Sequence, residues 1–277
     1  MTLTVQPAFE FPLTTLCDLI NRSFKGYVGG DFTFTPAILA DFMASSGIHL
    51  GRSLIALQDG EPAGIAMLAR RGWTVRIALM GVIPDFQNHG VGRWLLDQIA
   101  DQAKTNGDRT LVLEVIEQNP RAVHLYESCG YRSIRRLMGY DFQVQDQQGE
   151  ELPSMPTVDV LEAARHIATW ESPDLPWQCS GLSLAKIGAP SVAYQIENCY
   201  AICSNPKVET ITILGLGVPP ERRRKGLAMM LVANLMIIHA NKGWRVPPIC
   251  PEEYGSIFLR NGFTVNPLNQ FQMELRL

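Results

Sequence analysis

Apolar residues recur along the first half of the chain at helical and strand spacings in turn. Thr2 to Pro7 reads as a strand, and Leu13, Leu16, Leu19, Ile20 and Phe24 mark the inner face of a first helix. Thr35-Pro36 opens a second helix through Ile38, Leu39, Phe42 and Met43. Ser53 to Gln58 and Ala63 to Ala69, joined at Asp59-Gly60, predict a hairpin, and Trp73 to Val82 continues the sheet. Gly90 to Ala103 predicts a helix with Val91, Trp94, Leu95, Ile99 and Ala103 inward, and Thr110 to Val115 a buried strand. Asn119-Pro120 is a cap followed by a favoured first helical residue, and Ser133 to Val144 completes the half as one long strand or a pair.

The polar, aperiodic stretch from Gln145 to Ser154 then interrupts the pattern. It divides the chain into a domain at 1–144, a linker at 145–157 and a second domain at 158–277. The second domain opens with a helix from Val158 to Thr169 and has strands at Ser191–Ile196 and Tyr200–Cys203, while residues 170–190 match no element. With 277 residues, 46% of them hydrophobic, the chain can fill two ordinary cores.

The halves echo one another. Val82-Ile83-Pro84-Asp85-Phe86-Gln87-Asn88-His89-Gly90-Val91-Gly92 returns as Val218-Pro219-Pro220-Glu221-Arg222-Arg223-Arg224-Lys225-Gly226-Leu227-Ala228, an offset of 136 positions. Leu125 to Tyr131 returns as Ile257 to Phe263 at an offset of 132. Two long-range echoes in the same order indicate duplication of a domain rather than a solenoid of short repeats. In each copy an apolar run ends, a polar loop follows, and glycine precedes a helix, so backbone N–H groups face an approaching anion. A Walker loop is excluded because no Lys follows Gly90, and a dinucleotide fingerprint because Arg93-Trp94-Leu95 supplies no third glycine.

Together the loop, with the pattern [Q/R]-x-x-G-x-[G/A], and the later run Asn119, Ala122, Leu125, Tyr126, Gly130 and Tyr131 resemble the GCN5-related N-acetyltransferase (GNAT) family. The resemblance covers the first half well and the second mainly from Thr210. It implies a mixed α/β fold: two such domains in tandem, each a mostly antiparallel, splayed sheet flanked by helices. It further implies acetyl-CoA as acyl donor to an acceptor amine. Val82 and the loop residues Gln87, Asn88, His89, Gly90, Val91, Gly92 and Arg93 would hold pantetheine and pyrophosphate, Asn119 would contact the pantetheine arm, and Tyr126 would protonate the leaving thiolate. A phenol titrating near ~10 can serve a thiolate whose thiol titrates near ~8.5, a small uphill step.

The second copy lacks this chemistry, with Phe258 at the Tyr126 position and Pro251 at the Asn119 position, although Arg222 to Lys225 make its loop basic. Glu114 and Glu117 are candidate bases, His124 a weaker one, and the segment Lys25 to Phe32, with Tyr27 and Asp31, is the candidate acceptor loop. Small-molecule and peptide amines both remain open, and a non-catalytic acyl-CoA-binding module is the alternative reading. A net charge of −3 gives no field for nucleic acid, and six cysteines and five histidines show no metal-ligand spacing. Without a leader-like amino terminus or a spanning apolar run, a cytoplasmic protein off the membrane is expected, monomeric if the tandem halves form an internal pseudo-dimer.

Overall fold

The computed structural model describes residues 2–30, 32–144 and 154–277, so most of the expected linker and Asp31 lie outside the described residues. The chain divides into two compact units.

The first unit begins with β1 (Leu3–Pro7), α1 (Leu13–Ser23), α2 (Pro36–Ser46), β2 (Leu54–Gln58), β3 (Glu61–Arg71) and β4 (Thr74–Val82). It continues with α3 (Val91–Thr105), β5 (Thr110–Ile116) and α4 (Pro120–Ser128). Strands β1 to β4 pair antiparallel in sequence order, and β5 joins β4 in parallel. Asp59 and Gly60 turn the β2–β3 hairpin with φ of 51° and 90°, the left-handed pair that suits a tight turn between twisted strands. Helix α3 buries Val91, Leu95, Leu96, Ile99 and Ala103 against the sheet, while Trp94 stays half-buried. Helix α2 is set by its ends: the Thr35 hydroxyl accepts the Ile38 N–H at 3.3 Å, and Gly47 closes it in the left-handed conformation. Of its predicted inner face only Leu39 is buried and Ile38 is 50% exposed, so local capping rather than core burial forms this helix.

In the second unit lie most of β6 (Arg132–Phe142), then β7 (Thr157–Val158), α5 (Val160–Trp170), α6 (Gly181–Leu184), β8 (Val192–Ile196) and β9 (Cys199–Cys203). There follow β10 (Thr210–Gly217), α7 (Leu227–Ile238), β11 (Gly243–Pro251), α8 (Gly255–Leu259) and β12 (Thr264–Val265). Antiparallel β7 to β10 meet β11 in parallel, and β11 pairs β6 antiparallel. Asp159 caps α5 by accepting the N–H groups of Leu161 and Glu162 at 2.8 and 3.1 Å. The segment 170–190, unassigned from sequence, contains a 3-10 turn at Trp177–Cys179 and α6, with Trp177 buried.

The units do not follow the expected division at residues 1–144 and 158–277. The first comprises Met1–Arg135 with Phe271–Leu277, and the second Arg136–Gln270. The final strand, β13 (Gln270–Arg276), lies beside β5 and buries Met273 fully in the first unit's core, and the Leu277 N–H reaches the Arg109 carbonyl at 2.9 Å. Met138, Tyr140 and Phe142 of β6 bury in the second unit's core instead. The reason is the demand of a central strand: β5 alternates buried and half-buried positions and needs a neighbour on the side away from β4. The run 132–142 does form one strand, but its core residues serve the other unit.

Candidate active site

Parallel pairing of β4 and β5 runs from Thr74↔Thr110 to Ile77↔Leu113, and beyond it the strands are no longer paired. At that point β4 carries a bulge: Ile77 faces Leu68 and Leu79 faces Met67, leaving Ala78 unpaired. The gap leaves backbone groups on the final turns of β4 free to meet a ligand. Gly81 is pressed against α1, where an added Cβ would lie 2.6 Å from the Ser23 Cβ.

The loop after β4 is held by its own side chains. A 3-10 turn at Pro84–Phe86 leads to Gln87, whose amide donates to the Val82 carbonyl at 2.9 Å. Asn88 has φ of 64°, and Gly90 caps α3 with φ of 81°. A Cβ on Gly90 would have open space, so glycine is required there for backbone conformation. No side chain caps α3, and the first amides of a helix without such a cap form a natural anion site. Gly92 keeps the helix close to α4, since a Cβ there would come 3.2 Å from Leu125. His89 is exposed and Val91 is buried.

Two loop residues assigned to the ligand from sequence also fasten the loop to α4. The Arg121 guanidinium donates to the Asn88 side chain, and Arg93 donates to the Ser128 carbonyl at 3.0 Å and hydroxyl at 2.6 Å. Asn119 caps α4 by accepting the Ala122 N–H at 3.2 Å, and its side chain lies near the Tyr27 hydroxyl. The start of α4 therefore meets the segment after α1. Tyr126 packs edge-to-face on Tyr131 with ring centres 5.8 Å apart and lies close enough to Tyr27 for their charged forms to repel. Burial, then Tyr27 and Cys129, push its phenol well above the ordinary tyrosine range, so it is held protonated. Tyr27 belongs to an aromatic chain: Phe24 touches Tyr27 and Phe32, Phe32 touches Phe34, and Phe34 touches Phe42. The sequence reading missed this cluster, whose only signal is five aromatics within 19 residues.

The two candidate bases differ in setting. Glu114 is buried against Arg76, its Oε2 2.7 Å from Nη2 and 2.8 Å from Nε, one residue past the last paired position of β5. Glu117 is half-buried at the end of the same strand, and His124 is exposed. Among the described residues no group of three His, Cys, Asp or Glu could hold a metal, and no helix is long and apolar enough to cross a membrane.

The second unit repeats the geometry at the same offset of 136. Leu214 is the unpaired bulge residue of β10, Gly217 sits where a Cβ would lie 2.4 Å from Ile167 of α5, and Pro220–Arg222 forms the 3-10 turn. Arg223 donates to the Val218 carbonyl at 3.2 Å as Gln87 does to Val82, Arg224 has φ of 61°, and Gly226 caps α7 with φ of 80°.

Residues 14–131 match the Acetyltransferase (GNAT) family. A ribosomal-protein-bS18-alanine N-acetyltransferase of Salmonella typhimurium is 48% identical over 59 residues, 21% of this chain and 40% of that protein. A mycothiol acetyltransferase of Propionibacterium freudenreichii is 34% identical over 109 residues, 39% of this chain and 31% of that protein. The chain thus spans less than half the length of either relative. The crystal structure of a GCN5-related N-acetyltransferase from Sphaerobacter thermophilus matches with a TM-score of 0.67 at 16% identity, over 99% of this chain and 95% of that one, a likeness of fold. Residues 14–131 are thus similar to the GNAT acetyltransferase family, and the fold of the chain is like that of a solved GCN5-related N-acetyltransferase.

Proposed function

We propose that the first unit transfers an acetyl group from acetyl-CoA directly to an acceptor amine. The observation that carries this reading is the convergence, over the parting of β4 and β5, of the uncapped α3 terminus with Asn119 and Tyr126 of α4. The α3 amides and the loop from Gln87 to Arg93 bind the pyrophosphate. Unpaired β4 backbone and Asn119 align the pantetheine. The amine attacks the thioester carbon, the carbon–sulfur bond breaks, and Tyr126 gives its proton to the departing thiolate.

The raised phenol pKa fits that role when the two partners are compared in one environment. Burial penalises a phenolate and a thiolate alike, so the difference between their pKa values, which sets the cost of transfer, changes less than either value. The acceptor must arrive as a neutral amine. Glu114, paired with Arg76, and Glu117, just past the end of β5, are the two carboxylates from which the base is drawn. Tyr27 and the neighbouring phenylalanines give the acceptor side an aromatic wall, which suits an amine carried on an apolar or cationic body.

Tyr126→Phe tests the assignment. CoA release with a cognate amine should fall at least about a hundredfold, the lower range of general-acid catalysis, with acetyl-CoA affinity within about twofold of wild type. Undiminished turnover at every pH would remove Tyr126 from the mechanism.

A further inference from the structure

The second unit contains a cavity of about 720 Å³, inside the range of roughly 300–1,000 Å³ typical of small-molecule sites. It lies where β10 and β11 part after their last parallel pair, Thr212↔Arg245, and is lined by Gly226 and Ala228 at the α7 terminus and by Leu175 and Cys179. The α7 amides have no side-chain cap. We propose that this cavity is a binding site for a CoA thioester carrying a long apolar acyl chain, which it holds without transferring. The proposal rests on the first unit's assignment as an acetyl-CoA site, because the repeated loop geometry identifies the ligand's phosphate end.

Charge identifies that end. Of the four consecutive basic residues, Arg222 is engaged by the Glu197 carbonyl and carboxylate, and Arg223 by the carbonyls of Val218 and Trp170. Arg224 and Lys225 are exposed and have no hydrogen-bond or ion-pair partner among the described residues. Two cations beside uncapped amides complement a pyrophosphate. Lining chemistry identifies the other end. Where the first unit presents Asn119 and Tyr126, this cavity presents Pro251 and Phe258, and Ile213, Val246 and Ile249 extend the apolar wall. An apolar chain gains from that wall, whereas an acetyl group leaves most of it uncovered. The position equivalent to Tyr126 holds Phe258, which has no proton to give a departing thiolate, so the thioester is held rather than transferred.

Calorimetry with octanoyl-CoA on the full chain tests this. Wild type should bind two equivalents, and the Arg224→Glu/Lys225→Glu variant one, with an unchanged thermal midpoint because neither side chain has a partner in the fold. A Gly90→Glu chain, which loses the first site, should retain one equivalent, bind octanoyl-CoA at least tenfold more tightly than acetyl-CoA, and release no CoA with an amine. One equivalent on wild type together with full affinity in the Arg224→Glu/Lys225→Glu variant overturns the second site and leaves the first unit's assignment standing. Affinity independent of chain length in the Gly90→Glu chain overturns the acyl assignment. If Gly90→Glu still binds two equivalents, the phosphate loop of the first unit is misassigned and the proposal falls with it.

Discussion

Glu114→Gln separates a structural carboxylate from a catalytic one. In the wild type Glu114 and Arg76 have side chains 4% and 6% exposed, and both Nε and Nη2 of Arg76 address one carboxylate oxygen. Glutamine keeps the size and an acceptor oxygen but removes the negative charge that the buried guanidinium addresses. Removing one partner of a buried pair costs about 3–5 kcal/mol. For a unit of this size each kcal/mol is worth about 3 °C, so the midpoint should fall by about 10–15 °C. Scanning calorimetry at pH 7 reads that shift, and CoA release well below the new midpoint reads catalysis. Turnover per folded molecule should stay within about threefold of wild type, with its pH profile unmoved. Glu114→Leu with Arg76→Met should recover much of the lost stability, because apolar residues of similar volume replace such pairs at little cost. An unshifted midpoint with turnover collapsed and the acidic limb of the pH profile gone would refute the argument and make Glu114 the base.

Arg223→Ala should lower the midpoint by a few degrees, since its guanidinium ties Val218 to Trp170, while acetyl transfer in the first unit stays within twofold; loss of transfer with acetyl-CoA binding intact would place the chemistry in the second unit. Tyr27→Phe removes the hydroxyl beside Asn119 but leaves the Asn119 cap on α4, so kcat/KM should drop several-fold with little change in unfolding temperature, which steady-state kinetics and a melt together check. Burial pushes Tyr140, Tyr194 and Cys203 up to about 12. Their contribution to stability is whole below the unfolded values of about 8.5 for Cys and 10 for Tyr and is lost as pH rises towards 12. Urea midpoints should therefore decline between pH 9 and 11.5, and a flat profile would contradict the burial of these groups.

The parts of the site legible in the sequence are those where backbone geometry restricts residue type. Gly90 and Gly226 need left-handed φ, and Asn119-Pro120 announces a helix start, so loop and α4 could be placed before any coordinates. Interactions between distant segments left no comparable mark. Arg76 and Glu114 are 38 positions apart on strands that each read as ordinary, and nothing local in either side chain names the other. Asn88 and Arg93 fitted the loop pattern, yet their ties to Arg121 and Ser128 depend on where α4 lands. Residues 132–142 likewise read as a strand, but periodicity says which face is apolar and not which sheet will receive it.

The assignment of Phe271–Leu277 to the first unit sets an order of events during synthesis. Everything else in that unit is made by Arg135, yet its sheet stays one strand short while all of Arg136–Gln270 is translated. At about 5–20 residues per second that interval is on the order of ten seconds. Throughout it β5 offers an unsatisfied edge to whatever is nearby, and slow codons inside the second unit would prolong that exposure.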